Sequence, residues 1–351
     1  MTATPALQLP SAGSAFETAA IDRRALRPDD VRIAIHYAGI CHTDLHYGHD
    51  DFGRTPFPLT PGHEIAGTVA EVGDAVTGFA VGDRVGMGCI CNACGECRQC
   101  LAGDEQFCER GMVMTYGNED YDGTITKGGY SRSIVVSERF VVRIPDAIEL
   151  DEAAPLLCAG ITMYSPLRHW NVGPGSRVAI VGMGGLGHVG VKLAAALGAE
   201  VTVLSQSLRK EADGRAFGAA DFRATSDPAT FSELAGTFDL ILNTVSAGID
   251  VNAYLSLLAV DGTMVTVGLP DGPTSVAAGL LMSRRRSFSG TSIGGIRETQ
   301  EMLDFCAEHG VRPQIETIAA EPAAVAAAWG RVADGSARYR VVIDTAALER
   351  A

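Results

Sequence analysis

The sequence predicts an α/β protein of two domains, one β-rich and one built on a doubly wound parallel sheet of six strands. A length of 351 residues fits two domains at about 150 residues each. Short Val- and Ile-rich runs separated by Gly and Pro fill residues 30–150, whereas strand-like and helix-like runs alternate after Pro155. This alternation is typical of a parallel sheet with helices on both faces.

The elements follow in order along the chain. Strands of the β-rich part are expected at Val31–Ile35, Ile65–Val72 and Ser133–Val142. The six parallel strands are expected at Arg177–Gly182, Glu200–Leu204, Ala220–Thr225, Phe238–Thr244, Gly262–Gly268 and Ser287–Thr291. The first of these is followed by a helix over Leu186–Leu197, which Gly198 would terminate. A helix over Glu298–His309 and a strand over Tyr339–Asp344 would return the chain to the first domain, which predicts domains 1–154 with 294–351, and 155–293.

Composition and charge narrow the function. Hydrophobic residues make up 46% and charged residues 20% of the chain, which is typical of folded proteins and excludes disorder. A net charge of −14 repels phosphate backbones and anionic lipids, so we expect neither nucleic acid nor a membrane as a partner. The chain has no apolar run of about 18 residues and no basic start followed by an apolar stretch. We therefore expect a cytoplasmic protein that acts on a small molecule.

A glycine-rich turn follows the first strand of the predicted parallel sheet. Gly182, Gly184 and Gly187 occupy the glycine positions of a dinucleotide fingerprint, with Gly185 and Leu186 between them. Such glycines permit a tight turn and let a pyrophosphate approach the helix N-terminus. The alternative is a turn that only packs the helix on the strand.

The second strand of this sheet indicates which dinucleotide binds. NAD-binding proteins place an acidic residue about 20 residues after the fingerprint. This chain instead has Ser205, Ser207, Arg209 and Lys210, which can donate hydrogen bonds to a 2′-phosphate and neutralise its charge. The sequence therefore predicts NADP(H), with a Ser-capped surface helix carrying solvated basic residues as the alternative.

Six of the nine cysteines lie between Cys89 and Cys108, and four of them have metal-ligand spacing. These four are Cys94, Cys97, Cys100 and Cys108. Four thiolates fill a tetrahedral shell and predict a structural zinc, although an iron–sulfur cluster could use similar spacing and disulfides are a further alternative. Cys89 and Cys91 are surplus, and either could exchange into the site.

Further Cys and His residues are dispersed and do not by themselves assemble a site, since a lone His or Cys is more often a core residue than a ligand. Together with their neighbours, however, they form segments that occur in a single order. These segments are Gly39-Ile-Cys41-His42-Thr43-Asp44, Pro61-Gly-His63-Glu64, Gly82-Asp-Arg-Val85, the four-cysteine lobe, Gly128-Gly-Tyr130, Leu156-Leu-Cys158-Ala-Gly160 and Gly182-Met-Gly-Gly-Leu-Gly187-His188. From about residue 20 onward the chain resembles zinc-dependent medium-chain alcohol dehydrogenases, and more narrowly their NADP-dependent cinnamyl-alcohol-dehydrogenase branch.

The resemblance implies a GroES-like catalytic domain, a Rossmann domain and two Zn²⁺ ions per chain. Cys41, His63 and Cys158 would hold the catalytic zinc, Glu64 could ligate it transiently, and Asp44 would accept a hydrogen bond from His63. The four-cysteine lobe would hold the structural zinc.

The same resemblance assigns further roles. Thr43 and His46 would pass the alcohol proton to solvent, although a turn hydroxyl and an exposed ring are the ordinary interpretations of these residues. Positions expected at the nicotinamide are Thr244, Gly268 and Ser292, and Arg340 resembles a pyrophosphate contact. Similar proteins commonly form homodimers.

The activity implied is interconversion of primary alcohols and aldehydes with NADP(H), mainly as a broad-range reductase of aromatic and aliphatic aldehydes. Plant members have a large aromatic residue where this chain has Met114, which indicates a more adaptable pocket wall. Two other functions compete with this one: a zinc-free quinone or enoyl reductase on the same scaffold, and a redox-sensing, NADPH-binding regulatory protein.

Overall fold

The computed structural model describes residues 2–269 and 272–350. Its strands are β1 (Thr2–Gln8), β2 (Glu17–Arg23), β3 (Asp30–Ile40), β4 (Ile65–Val72), β5 (Arg84–Met87), β6 (Ile90–Asn92), β7 (Val113–Met114), β8 (Ser133–Ser137), β9 (Val142–Arg143), β10 (Arg177–Val181), β11 (Glu200–Ser205), β12 (Asp221–Ala224), β13 (Phe238–Asn243), β14 (Leu258–Thr266), β15 (Ser287–Gly290), β16 (Ile315–Ala319) and β17 (Arg340–Asp344).

The helices connect these strands. The α-helices are α1 (His42–His49), α2 (Arg98–Ala102), α3 (Leu150–Pro155), α4 (Ile161–His169), α5 (Gly187–Ala196), α6 (Glu211–Ala216), α7 (Pro228–Glu233), α8 (Val251–Ser256), α9 (Ala278–Met282), α10 (Ile296–His309) and α11 (Pro322–Ala333). A π-helical turn spans Leu156–Gly160. Within the described ranges, no helix combines the length and the apolar character needed to cross a membrane.

The chain divides into two compact units. The first comprises Met1–Ile161, Gly294–Glu308 and Arg312–Ala351, and the second comprises Thr162–Ile293 with His309–Val311. The first unit thus contains both ends of the chain.

The first unit is built on a mostly antiparallel sheet in the order β16-β17-β3-β4-β5-β9, with β8 also paired to β3. The long strand β3 is central because its apolar residues are buried and it pairs with β4, β8 and the C-terminal β17. The predicted strand over Ser133–Val142 is interrupted, since a 3-10 turn at Glu138–Phe140 separates β8 from β9. The hairpin of β1 and β2 was not predicted.

The second unit contains one parallel sheet in the order β12-β11-β10-β13-β14-β15. All six predicted strands are present, and the predicted fold class is confirmed. Strand β14 begins at Leu258 rather than Gly262, with a register irregularity against β13 between Phe238 and Leu240. The sheet order reverses between β10 and β13, and the crevice at the carboxyl ends of such strands is where α/β sheets bind ligands.

The turn from β10 to α5 requires glycine at two positions for different reasons. Gly182 has a φ of +87°, which glycine adopts without strain. A Cβ on Gly187 would lie 1.9 Å from the carbonyl oxygen of Gly182, so the helix packs directly on the strand end. At Gly184, by contrast, a Cβ would meet no atom within 4 Å.

This difference predicts unequal costs for two alanine substitutions in one turn. Gly187→Ala should lower the free energy of unfolding by about 2 kcal/mol or more, because a backbone oxygen would have to move. Gly184→Ala, the matched control, should leave stability within about 0.5 kcal/mol of the wild type, as for other exposed sites. Denaturant unfolding of the two variants measures both values, and equal stability of the two would contradict this account of the turn.

Candidate active site

The first candidate ligand, Cys41, lies where β3 ends and α1 begins. Cys41 is the N-cap of α1, and its backbone N–H donates to Oδ2 of Asp44 at 2.9 Å. The backbone N–H of Gly62 donates to the other oxygen, Oδ1, at 3.3 Å. One buried carboxylate therefore holds the segment carrying Cys41 against the segment carrying the second candidate ligand, His63.

The His63 ring is buried and faces this same carboxylate. Its Nδ1 lies 3.3 Å from Oδ1 of Asp44, an ion-pair distance, although the two groups are not aligned for a hydrogen bond. This contact leaves Nε2 as the nitrogen available to a metal. Burial lowers the pKa of His63, but negative charge on Cys89, Asp44 and Cys41 outweighs burial and raises it well above its ordinary value.

Cys158 comes from the π-helical turn over Leu156–Gly160, a conformation that is frequent at functional sites. Its Sγ lies 3.9 Å from Sγ of Cys41. The contact between the two sulfurs lowers the pKa of Cys41 well below its usual range and raises that of Cys158. The pair is therefore ready to ionise at one sulfur, as a metal ligand must.

Glu64 faces the same buried space and pairs with Arg340 of β17. Burial raises the pKa of Glu64 to about 7, against the opposing effect of Arg340. Its Oε1 accepts a hydrogen bond from Arg340, but its buried Oε2 has no hydrogen-bond partner within residues 2–269 and 272–350. A Cβ on Gly39 would lie 1.9 Å from this Oε2, so only glycine leaves room for the carboxylate.

The four side chains converge on one point. Ligand atoms of Cys41, His63, Glu64 and Cys158 all lie within 4.8 Å of one another, and all four residues are buried. Sulfur, imidazole nitrogen and carboxylate oxygen are the ligands that zinc prefers. Oε2 of Glu64, which has no hydrogen-bond partner among the described residues, is a further buried oxygen donor that a cation could use, so the donor set fits zinc.

The proposed proton path begins beside this cluster. Thr43 Oγ1 lies 3.6 Å from Sγ of Cys41. His46, one turn further along α1, is partly exposed, and its Nδ1 lies 2.7 Å from Oδ2 of Asp51. The structure thus places Thr43 beside Cys41 and His46 one turn further along α1, with both residues half-buried. Asp51, which sequence analysis did not single out, orients the His46 ring.

The four-cysteine lobe forms a second cluster, in which the sulfurs also lie within 4.8 Å of one another. Backbone N–H groups donate to three of these sulfurs, on Cys94, Cys97 and Cys108, at 3.4–3.5 Å. The N–H groups of Cys100 and Glu109 lower the pKa of Cys97.

Backbone N–H donors also lower the pKa of Cys108, whereas Cys89 and Cys91 lie outside this cluster. Burial raises the pKa of Cys108, but N–H donors outweigh burial and lower it to about 6. Such donors stabilise thiolates, so the lobe fits a zinc ion. Cys91 donates instead to Met114 O at 3.2 Å, and Cys89 lies near His63 and Cys158, so neither belongs to the cluster.

The glycine turn of the second unit presents its backbone to open space. Gly184 is exposed, whereas Gly185 and Leu186, which immediately precede α5, are half-buried. The empty volume at Gly184, where a Cβ would meet nothing, suits a phosphate approaching the helix N-terminus.

The loop after β11 lies against this turn. Ser205 ends β11 and Ser207 precedes a 3-10 turn, and both are half-buried. Lys210 Nζ donates to the carbonyl oxygen of Met183 at 3.0 Å, which ties the loop to the glycine turn, while Arg209 is exposed. Two hydroxyls and two cations in a loop tied to the glycine turn fit the 2′-phosphate of NADP(H).

Three further predicted residues lie at or beyond strand ends of this sheet. Thr244 donates its hydroxyl to the Val181 carbonyl at 2.8 Å, so it supports the glycine turn. Gly268 is packed closely, because a Cβ there would lie 2.6 Å from the carbonyl oxygen of Val245. Ser292 is exposed in the loop after β15.

Two contacts of the first unit were not predicted from the sequence. Arg340, which resembles a pyrophosphate contact, also pairs with Glu64. Tyr130, which the sequence shows only as part of a motif, donates its hydroxyl to Asp44. An arginine within the apolar C-terminal strand, Arg340, was a signal for a buried ion pair. Its partner Glu64, however, is remote in sequence.

Two family models match the chain. The alcohol dehydrogenase GroES-like domain covers residues 27–146, and the zinc-binding dehydrogenase domain covers residues 185–308.

Individual proteins agree with these models along nearly the whole chain. A probable formaldehyde dehydrogenase of Bacillus subtilis is 57% identical over 98% of both chains, and an NADP-dependent alcohol dehydrogenase C of Mycolicibacterium smegmatis is 58% identical over 99% of both. The solved structure of a cinnamyl alcohol dehydrogenase from Sorghum bicolor superposes with a TM-score of 0.93 at 40% identity, covering 98% of both chains. The chain therefore belongs to the zinc-binding alcohol dehydrogenase family, and it resembles the cinnamyl alcohol dehydrogenase branch.

Proposed function

We propose that this chain interconverts primary alcohols and aldehydes by hydride transfer with NADP(H), and that it works mainly as a broad-range aldehyde reductase. The observation that carries the proposal is the buried cluster of two thiols, one imidazole and one carboxylate with an unpartnered oxygen. A zinc-free reductase would have no use for this donor set.

Cys41, His63 and Cys158 would hold the catalytic zinc, and Glu64 is a further carboxylate that could ligate it. Zinc bound there would supply Lewis-acid polarisation of the substrate oxygen. Asp44 orients the His63 ring, and Arg340 balances the charge of Glu64. The lobe of Cys94, Cys97, Cys100 and Cys108 would hold a structural zinc, because its four thiolates suffice for a tetrahedral site.

Thr43 and His46 exchange the proton of the alcohol with solvent. Thr43 Oγ1, beside Cys41, can accept the substrate hydroxyl proton while it donates its own proton onward, and the partly exposed His46 can release a proton to solvent. Because Asp51 occupies Nδ1 of His46, the ring exchanges protons through Nε2.

The second unit binds the cofactor, which supplies or accepts the hydride. Backbone groups of Gly182, Gly184, Gly185, Leu186 and Gly187 receive its pyrophosphate. Its 2′-phosphate is held by Ser205, Ser207, Arg209 and Lys210. At the nicotinamide end lie Thr244, Gly268 and Ser292.

A broad substrate range is supported by the half-buried Met114, a flexible side chain that adapts to different shapes. The Bacillus relative is named for a one-carbon aldehyde, formaldehyde, and the Sorghum structure for an aromatic alcohol, cinnamyl alcohol. Two clusters of free thiols require a reducing compartment, which supports a cytoplasmic location.

The first test compares the wild type with Cys158→Ala, which removes a zinc ligand. Wild-type protein should oxidise NADPH in the presence of cinnamaldehyde, benzaldehyde and a short aliphatic aldehyde, and a zinc chelator should abolish the rate. The variant should lose more than about 100-fold in kcat and one of two zinc ions, since even outer-shell partners are worth 10–100-fold. Initial rates at 340 nm, metal analysis and NADPH titration measure these effects.

Cys306→Ala is the matched control, because Cys306 is buried in α10 outside both clusters. It should keep both zinc ions and wild-type turnover. Undiminished activity of Cys158→Ala would refute the site, and zinc and NADPH binding without reduction of any aldehyde would favour a regulatory protein.

Cofactor choice is tested at Ser205. Ser205→Asp should lower kcat/KM with NADPH by about 10- to 100-fold, because the carboxylate repels the 2′-phosphate and a hydrogen bond to a charged group is lost. Efficiency with NADH should rise, because the new carboxylate can bind the ribose hydroxyls. Ser205→Ala, which adds no charge, should weaken NADPH binding without improving NADH, and an unchanged NADPH/NADH ratio in Ser205→Asp would contradict the assignment.

A homodimer is the proposed assembly. Strand β15 lies at the edge of the parallel sheet, and in the described part of the chain only β14 pairs with it. Exposed apolar side chains, Val260 and Met282, belong to the adjoining β14 and α9. Light scattering should give twice the chain mass of 36.7 kDa, and a single-chain mass at micromolar concentration would contradict the dimer.

A further inference from the structure

We propose that Tyr130, supported by Trp329, is a positioning residue for His63: its hydroxyl fixes the carboxylate of Asp44, and that carboxylate fixes the imidazole. The inference rests on the zinc site proposed above. Tyr130 touches neither the reacting atoms nor any of the four clustered ligands by a hydrogen bond, so its effect passes through Asp44.

The contacts of Asp44 show why one more donor matters. Its side chain is completely buried, and a buried carboxylate is stable only when hydrogen bonds and charges compensate its lost hydration. Oδ2 accepts from the Cys41 N–H at 2.9 Å and from the Tyr130 hydroxyl at 3.1 Å, whereas Oδ1 faces Gly62 N–H and His63. The tyrosine thus supplies the side-chain hydroxyl bond that sets the rotation of the carboxylate plane.

Trp329 strengthens this bond from behind. Its Nε1–H donates to the Tyr130 hydroxyl oxygen at 3.3 Å, so the indole, the phenol and the carboxylate form a chain in which each group donates to the next. Hydrogen bonds arranged in this direction polarise one another in a buried site.

The tryptophan is itself held rigidly. Its ring meets Phe16 edge-on with centroids 4.8 Å apart, and a Cβ on Gly48 of α1 would lie 2.5 Å from the ring. Trp329 belongs to α11 and Gly48 to α1, so the C-terminal helix is locked against the helix that begins at Cys41. The orientation of His63 therefore depends on a residue near the end of the chain.

The test removes only the hydroxyl. Tyr130→Phe should release the catalytic zinc to a chromogenic chelator about 10-fold faster than the wild type, within the 10- to 100-fold range for losing an outer-shell partner. The zinc in the four-cysteine lobe, which makes no contact with Tyr130, should be released at the wild-type rate and serves as an internal reference. Turnover should fall mainly in kcat.

Tyr254→Phe is the control. It also removes the hydroxyl of a buried tyrosine, but Tyr254 belongs to the core of the second unit and to neither ligand cluster. Its substitution should change zinc release less than about twofold. Trp329→Phe, which removes only the second donor, should give an effect in the direction of Tyr130→Phe but smaller, and it tests the chain of bonds if Tyr130→Phe does not fold.

A double-mutant cycle separates positioning through Asp44 from a general structural role. In an Asp44→Asn background, Tyr130→Phe should add little to the release rate, because the carboxylate through which it acts is gone. Additive effects, or wild-type release from Tyr130→Phe, would overturn the inference. If wild-type protein contains only one zinc per chain, the proposed function fails and this inference fails with it, whereas two zinc ions with wild-type release from Tyr130→Phe overturn the inference alone.

Discussion

The buried carboxylate of Asp44 is the contact on which the candidate site depends. It accepts from the start of α1 and from the segment before β4, and it faces the His63 ring, so it holds together two ligands from different parts of the chain. The negative charge of a second buried carboxylate, that of Glu64, is balanced by Arg340, which lies 276 residues away in sequence. A buried carboxylate is stable only when partner groups compensate its charge. The partners of Asp44 and Glu64 therefore hold the segments around the candidate ligands in place.

Sequence analysis predicted what is local. The glycine turn, the six parallel strands and the four-cysteine spacing are each contained in a few neighbouring residues, where hydrophobic periodicity and ligand spacing carry the information. The candidate ligands Cys41 and Cys158 could not be predicted from local patterns, because they are 117 residues apart in sequence. Only the family resemblance indicated that they belong to one site.

The contacts that were missed are those that no local pattern encodes. Tyr130 and Asp44 are 86 residues apart, and Trp329 and Tyr130 are 199 apart. An aromatic residue in a core has an ordinary explanation, packing, and Trp329 is indeed buried. That its one polar atom also donates to a buried hydroxyl follows only from the folded arrangement. The hairpin of β1 and β2 was missed for a related reason, since its Ala-, Thr- and Pro-containing strands lack a clear alternation of apolar residues.

The two metal clusters differ in how much of the chain they enclose. The four-cysteine lobe closes within residues 94–108, a short loop with a small entropic cost. The other cluster needs Cys158, and the arginine that balances its glutamate belongs to β17, the last strand. During synthesis the residues of the lobe emerge close together, whereas the other cluster also needs Cys158, and the arginine that balances its glutamate emerges only after the intervening parallel sheet. The thiolate lobe is therefore complete in the growing chain well before the buried charge of the other cluster is balanced.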